Sequence, residues 1–198
     1  MNFLAHLYLS NTHKNIMIGN FIADVVKGHH YGHFNKGIQT GILIHRAIDS
    51  YTDAHPIVRK SKRRLHERYR HYDGVIIDIL YDHFLAKNWS KYSEIPLDIY
   101  ANSVYELLRE NHAILPDKIQ QFFPYMVGQN WLYKYRTIPG ISDILRGMNN
   151  RTKGLSKMDL ASEDLLKHYE EFDEDFQVFF EDIKNYLAEN FTVLNNNR

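Results

Sequence analysis

Residues 41–56 read GILIHRAIDSYTDAHP, and residues 74–86 read GVIIDILYDHFLA. Both stretches have the apolar periodicity of α-helices, yet both carry acidic and histidine residues among their aliphatic side chains. In the first stretch His45 and Asp49 are four residues apart and therefore share one helix face. A carboxylate on a core-facing stripe is costly unless a metal ion, an arginine or a histidinium compensates its charge.

The second stretch repeats this spacing with two aspartates. Asp78 and Asp82 are also four residues apart, and their face of the helix includes Val75, Leu85 and Trp89. Both stretches therefore predict a helix that carries acidic groups toward the interior.

Helical periodicity continues through most of the chain, and few alternating runs favour strands. We expect an all-α fold, a single helical bundle over residues 1–194, with a frayed tail at 195–198. Helices are predicted at 2–10, 14–27, 35–53, 56–71, 73–88, 97–113, 117–134, 139–149 and 159–193. Pro56, Pro116 and Pro139 suit helix starts.

Composition excludes several classes of function. The 198 residues include 24 basic and 24 acidic side chains, so net charge gives no support for binding nucleic acid. There is no cysteine, which excludes disulfides, zinc–thiolate sites and thiol nucleophiles. No segment approaches the roughly 20 apolar residues of a membrane span, and no signal peptide is recognisable, so we expect a cytoplasmic protein. The sequence leaves the oligomeric state open.

Two further polar pairs lie in apolar segments near the N-terminus. Asn20 and Asp24 are four residues apart, as are Asn2 and His6. Carboxylate and imidazole groups that converge between bundled helices form metal sites in helical proteins. A donor set of oxygen and nitrogen suits Mn²⁺, Mg²⁺ or Fe²⁺, and Zn²⁺ less distinctively. Such a metal can polarise a phosphoryl oxygen and activate water near neutral pH.

Each of these residues also has a structural explanation when it is taken alone. His45 could be a hydrogen-bonded core histidine, and Asp78 or Asp82 could be a buried partner of Arg46. His83 could face solvent. The combination of these residues in one chain favours a single site over several independent structural roles.

Four stretches resemble the acyl carrier protein phosphodiesterase family. They follow the family's order through the first 90 residues or so: MNFLAHL at 1–7, GNFIADVVKG at 19–28, GILIHRAIDSYTDAHP at 41–56 and GVIIDILYDHFLAKNW at 74–89. The resemblance implies a divergent, all-helical hydrolase with an HD-type phosphohydrolase fold. It also implies hydrolysis of the bond between 4'-phosphopantetheine and a serine of holo-acyl carrier protein, with Mn²⁺ or Mg²⁺ as cofactor and Fe²⁺ as an alternative.

The resemblance implies a group of site residues but not the role of each. HD enzymes carry an adjacent His-Asp pair, whereas this chain has the reversed pair Asp82-His83 and the spaced pair His45 and Asp49. We assign the remaining roles as hypotheses. The predicted metal ligands are Asp24, His45, Asp49 and Asp78, and the predicted catalytic residues are Asp82, His83, Arg46 and His6. Arg46 would neutralise phosphoryl charge, and His83 or His6 would protonate the leaving group.

A basic segment lies between the two opening stretches. Residues 58–71 contain seven Lys or Arg and one acidic residue. Because acyl carrier proteins are acidic, we expect this helix to dock the substrate protein. The predicted partner-binding residues are Arg59, Lys62, Arg63, Arg64 and Arg70. A solvated helix face, pairing with the acidic residues of 159–198 and nucleic-acid binding are the alternatives.

Two other functions fit the same residues. One is an HD-type phosphohydrolase acting on a nucleotide or another small phosphodiester. The other is a non-enzymatic helical module that binds carrier protein, in which the buried acids are structural ion pairs.

Overall fold

A computed structural model describes residues 1–195, and within that range the chain forms helices and no strand. The all-α prediction is therefore confirmed. The α-helices are, in chain order, α1 Phe3–Leu9, α2 Lys14–Ile22, α3 Lys36–Ala54, α4 Pro56–Tyr69, α5 Asp73–Lys87, α6 Leu97–Glu110, α7 Asp117–Gly128, α8 Trp131–Lys134, α9 Ile138–Arg151, α10 Ala161–Lys167 and α11 Tyr169–Asn190. Apart from Asn195, the predicted frayed tail lies outside the described residues.

Three predicted helices are shorter than expected or divided. The helix predicted at 14–27 ends at Ile22 and continues as a 3-10 turn over Ala23–Val25. The helix predicted at 117–134 breaks where Asn130 takes a left-handed conformation, with φ of 47°. The helix predicted at 159–193 begins with a 3-10 turn and divides again at His168. Apolar periodicity continues across these breaks, which is why it did not reveal them.

Helix α5 lies at the centre of the molecule. Ten of its 15 residues are buried, and they occur on every side of the helix. A helix that is apolar all round is typical of a protein interior. Helices α1, α4, α9 and α11 pack around it. Its acidic residues therefore need partners from those neighbouring helices.

Helices α4 and α11 are joined through a buried carboxylate. Asp175 accepts hydrogen bonds from Ser61 Oγ and Lys60 Nζ, both at 2.8 Å, and from Arg64 Nη1 at 2.5 Å. Burial alone would raise the pKa of this carboxyl, but the bonds from Lys60, Arg64 and Ser61 outweigh it and lower the pKa. Part of the basic segment therefore stabilises the fold.

Helices α2 and α3 cross in close contact at two glycines. A methyl group on Gly19 would lie 2.0 Å from the carbonyl oxygen of Ile38, and one on Gly41 would lie 2.2 Å from that of Ile16. The two backbones can approach this closely only because neither position has a side chain. The crossing brings the second half of α2 against the residues of α3 that follow Gly41.

We predict that Gly41→Ala lowers the free energy of unfolding by about 3 kcal/mol, because the added methyl must push the two helices apart. Gly147→Ala in α9 is the matched control, since a methyl there meets nothing within 4 Å. The control should be slightly more stable than the wild type, by about 0.5 kcal/mol. Urea denaturation of the three proteins measures both effects. Equal stability of the two variants would contradict the close crossing.

Candidate metal centre

Two helices bring two imidazoles and a carboxylate together. His6 comes from α1, and His45 and Asp49 come from α3. Asp49 Oδ1 lies 3.2 Å from His6 Nε2, and Asp49 Oδ2 lies 3.1 Å from His45 Nε2. One ligand atom from each of the three residues lies within 4.8 Å of the other two. Asp24 adds a fourth group, with its Oδ1 3.2 Å from His45 Nε2.

Asn20 fixes the orientation of both imidazole rings. Its Oδ1 lies 2.8 Å from His6 Nδ1 and 3.0 Å from His45 Nδ1, and its main-chain oxygen lies 2.8 Å from the same nitrogen of His45. Its Nδ2 donates to the carbonyl oxygen of His6 and to Ser10 Oγ, which assigns Oδ1 as the acceptor. Both histidines must therefore carry a proton on Nδ1, and both present Nε2 to Asp49.

The net effect of burial and hydrogen bonding is to shift the pKa values of the two histidines in opposite directions. Burial alone would lower the pKa of His45, but hydrogen bonds to Asp24 and Asp49 outweigh burial and raise that pKa to about 9. At His6 burial prevails, and the pKa is lowered. Burial would raise the pKa of Asp49, but the imidazoles beside it, His45 above all, outweigh burial and lower that pKa well below the ordinary range. The surroundings therefore favour the ionised form of Asp49, the protonated form of His45 and the neutral form of His6.

This arrangement fits a divalent cation. A neutral His6 with its proton on Nδ1 directs the Nε2 lone pair at the Asp49 carboxylate, and these two electron-rich atoms repel one another. A cation bound by Nε2 and the carboxylate removes that repulsion. The fixed tautomer, with Nδ1–H donated to an amide oxygen, is the outer-shell arrangement that metal-bound histidines use. Imidazole and carboxylate together suit a divalent transition metal.

The centre lies in a cavity of about 340 Å³. Asp24 and Asp49 are the more exposed acids of the centre, whereas the two histidines are buried. The lining residues are Met1, Asn2, His6, Asp24, His45, Asp49, Thr52, Asp53, Val75, Asp78 and Met148. A ligand in this cavity would therefore reach the two carboxylates first.

Asp78 lines the cavity but binds a different group. Its Oδ1 lies 2.9 Å from the α-amino nitrogen of Met1. Burial alone would lower the pKa of this amine, but Asp78 outweighs burial and raises it. The structure therefore places Asp78 beside the predicted ligands, with the Met1 ammonium as its direct partner.

Asp82 lies beneath the centre, and its carboxylate contacts the first turn of α1. Its carboxylate accepts hydrogen bonds from the backbone N–H groups of Leu4 at 2.7 Å and of Asn2 and Ala5 at 3.2 Å. Burial raises the pKa of Asp82 to about 7. The first N–H groups of a helix have no partner within the helix, and a carboxylate there satisfies them. Asp82 thus holds the helix that carries His6.

Two predicted catalytic residues bind elsewhere in the fold. The nitrogens of His83 lie 2.7 Å from the carbonyl oxygen of Tyr135 and 2.8 Å from Tyr169 Oη. Arg46 donates to the carbonyl oxygen of Val26 at 2.9 Å. Among the described residues that line the cavity, neither His83 nor Arg46 occurs. Their predicted roles stay predictions, and the contacts seen are structural.

Sequence reasoning identified Asn20 as a polar residue in an apolar segment but missed its role at the site. The sequence pattern showed only that Asn20 is four residues from Asp24 in an apolar run. It did not reveal that the amide oxygen of Asn20 accepts hydrogen bonds from two histidines on different helices. Met148 of α9 was missed as well, because a methionine in an amphipathic helix carries no distinctive signal.

The predicted docking residues of α4 divide between two environments. Arg64 binds Asp175, and Lys62 Nζ lies 2.9 Å from Asp53 Oδ1. The other three are exposed, and no ion pair joins them to the part of the chain that the structure describes: Arg59, Arg63 and Arg70. Pairing with the acidic C-terminal segment therefore accounts for some of the basic residues but leaves this exposed stripe.

Comparison with known proteins places these residues in a family. The family model described as acyl carrier protein phosphodiesterase matches residues 1–183. A protein of that name from Photorhabdus laumondii is 33% identical over 181 residues, covering 91% of both chains. Those from Yersinia enterocolitica and Salmonella agona are 32% and 33% identical, covering 91% of this chain and 94% of their own.

No solved structure matches the chain, so the HD-type fold stays a prediction. Over residues 1–195 no helix combines the length and the apolar character needed to cross a membrane.

We predict that Asp82→Ala lowers the free energy of unfolding by about 3 kcal/mol, because three N–H groups of α1 lose their acceptor in a buried setting. Asp82→Asn keeps one acceptor oxygen and should cost about half as much. Both variants should bind Mn²⁺ with the stoichiometry of the wild type in equilibrium dialysis. Loss of the metal from Asp82→Asn, with unchanged stability, would contradict the capping role and favour a direct role for Asp82 at the centre.

Proposed function

The chain belongs to the acyl carrier protein phosphodiesterase family, and from this premise we propose that it hydrolyses the phosphodiester joining 4'-phosphopantetheine to a serine of holo-acyl carrier protein. The observation that carries the proposal is the cluster of His6, His45 and Asp49 at a solvent-open cavity. Water supplies the oxygen that bonds to phosphorus, the bond from phosphorus to the serine oxygen breaks, and the serine oxygen takes a proton. The products are apo-carrier protein and 4'-phosphopantetheine.

The cluster is proposed to hold one divalent metal. His6, His45 and Asp49 would bind it, with Asp24 as the fourth ligand. A metal in such a site polarises the phosphoryl group and lowers the pKa of water. Two imidazole nitrogens disfavour Mg²⁺, which prefers oxygen ligands throughout, so we expect Mn²⁺ or Fe²⁺.

The protein's own residues prepare the centre. Asn20 holds both imidazoles with Nε2 toward the cavity, so little reorganisation accompanies metal binding. Asp82 fixes the first turn of α1 and thereby the position of His6. Asp78 is a neighbouring carboxylate whose charge is already balanced by the Met1 ammonium.

The decisive experiment incubates purified protein with holo-carrier protein and Mn²⁺ and follows the carrier by intact mass spectrometry. We expect conversion to the apo form, and release of 4'-phosphopantetheine. Asp49→Asn and His45→Ala should bind no metal and lose about a thousandfold or more in turnover. The exposed His29→Ala is the matched control and should keep both properties.

The outcomes separate the alternatives. An unchanged carrier, together with turnover of a nucleotide diester, would favour the small-phosphodiester hydrolase. An unchanged carrier that binds tightly to metal-free protein would favour the non-enzymatic module. Full turnover by Asp49→Asn would place the chemistry outside the cluster.

The exposed stripe on α4 is proposed to dock the carrier protein. Arg59 and Arg63 are one helical turn apart, and Arg70 follows just after α4 ends. The stripe lies next to Lys62, which binds Asp53 on the rim of the cavity. An acidic carrier on this stripe would be close to the metal centre, and opposite charges would speed its encounter.

We predict that the double variant Arg59→Glu/Arg63→Glu raises KM for holo-carrier protein about tenfold at low salt, with kcat little changed. The difference should shrink above about 0.5 M salt, where such charges are screened. Lys36→Glu/Lys118→Glu is the control, because it makes the same change in net charge at exposed residues outside α4. If both double variants raise KM equally, net charge rather than this stripe guides docking.

A further inference from the structure

A second cavity adjoins the metal centre. It has a volume of about 230 Å³ and lies between the start of α1, the 3-10 turn after α2, and helices α8 and α9. Asn2, Asp24 and Met148 line both cavities, so the two spaces adjoin at the centre. The other lining residues are Phe3, Gln129, Trp131, Lys134, Tyr135, Asp143, Ile144, Gly147 and Arg151. We call this second cavity the side groove.

The wall of the side groove is aromatic and held in place. Trp131 stacks on Phe122 at 6.0 Å between ring centroids, with only 7° between the ring planes. Its indole Nε1 donates to Gln129 Oε1 at 3.2 Å. Phe3 packs on Trp131 at a centroid distance of 6.4 Å, which extends the wall toward α1. These three contacts hold the indole of Trp131 as one face of the groove.

Four of the residues that line the side groove are charged: Asp24, Lys134, Asp143 and Arg151. Lys134 Nζ lies 3.5 Å from Asp143 Oδ2, and the guanidinium of Arg151 lies 5.9 Å from the centroid of the Trp131 ring. Ile144 and Met148 add aliphatic surface. Apolar walls with a few polar or charged groups are typical of sites for small molecules.

A phosphodiester substrate needs space on two sides of its phosphorus. On one side of the metal centre the cavity is bounded by Asp53 and Val75, next to α4 and its basic stripe. On the other side Asp24 and Met148 lead into the side groove. If the carrier protein docks on α4, the other substituent on phosphorus would extend away from α4, toward the groove.

We propose that the side groove binds the pantetheine arm of the substrate, an inference that rests on the function proposed above. The arm is an uncharged chain in which a dimethyl group and methylenes alternate with two amides. The methyl and methylene groups would pack on Trp131, Ile144 and Met148, and Gln129 offers its amide nitrogen as a donor. The phosphorus then lies at the metal centre with the serine oxygen directed toward α4, and that oxygen is the leaving group.

Gly147 allows a direct test. It lies on the groove side of α9, and a Cβ atom there would meet nothing within 4 Å. Gly147→Leu therefore fills the groove without displacing the helix. Gly128→Leu is the matched control, since its Cβ also meets open space and it does not line the groove.

We predict that Gly147→Leu raises KM for holo-carrier protein at least tenfold and binds Mn²⁺ with unchanged stoichiometry. Gly128→Leu should have the kinetic constants of the wild type. A KM for Gly147→Leu within twofold of the wild-type value would overturn the assignment. If the wild type forms no apo-carrier protein, the proposed function fails by itself, and the binding measurement below decides about the groove.

Pantetheine without its phosphate tests the groove independently of turnover. The chain has two tryptophans, Trp89 and Trp131, so Trp89→Phe leaves Trp131 as the only indole reporter. Pantetheine should change the emission of Trp131 in a saturable way in Trp89→Phe and should have no effect in Trp89→Phe/Gly147→Leu. No saturable change at millimolar pantetheine would overturn the proposal. A response to octanoate but not to pantetheine would assign the groove to an acyl chain and would overturn it as well.

Discussion

The candidate centre depends on one amide oxygen. Asn20 Oδ1 accepts Nδ1–H from both His6 and His45, and this double contact stacks the two rings at 4.1 Å with their Nε2 atoms directed at Asp49. The contact requires α1, α2 and α3 to meet within the reach of a single side chain. That is why the glycine crossing of α2 and α3 matters, because any side chain at Gly19 or Gly41 would move the Asn20 backbone away from α3. A packing constraint and a chemical constraint therefore act at the same place.

Much of the fold could be predicted from the sequence, because apolar periodicity reports directly on helices and on their buried faces. The breaks between helices could not be predicted in this way. Asn130 lies between α7 and α8 in a left-handed conformation that a single asparagine does not reveal in a sequence, and the apolar pattern continues on either side of it. The site was predicted in part for a related reason. His45 and Asp49 share a helix, so their spacing alone places them together, whereas His6 joins them only through tertiary packing.

The acidic residues on apolar faces show why spacing identified candidates but not roles. Asp49 faces two imidazoles, Asp78 faces an ammonium, and Asp82 accepts three backbone N–H groups. Each arrangement offsets the cost of placing a carboxylate in or near the interior, and an i, i+4 pattern is compatible with all three. Only the surroundings of Asp49 present further lone pairs to the same space. Convergence of imidazole nitrogens and carboxylate oxygens on one space, rather than burial of charge, is what distinguishes the candidate metal ligands.

In the basic segment, too, the sequence identified the charged residues but not their partners. Seven cations in fourteen residues favoured a docking face, yet four of these cations form ion pairs within the protein. Arg64 and Lys60 bind the buried Asp175, Arg68 binds Asp164, and Lys62 binds Asp53. Charge density in a sequence therefore overstates the charge available to a partner, since every internal ion pair removes one cation. The free stripe is narrower than the composition indicated, but it lies beside the rim of the metal-centre cavity. If a partner docks there, a narrow stripe would orient it more strictly than a uniformly basic helix, because fewer arrangements of the partner would place its acidic groups on the exposed cations.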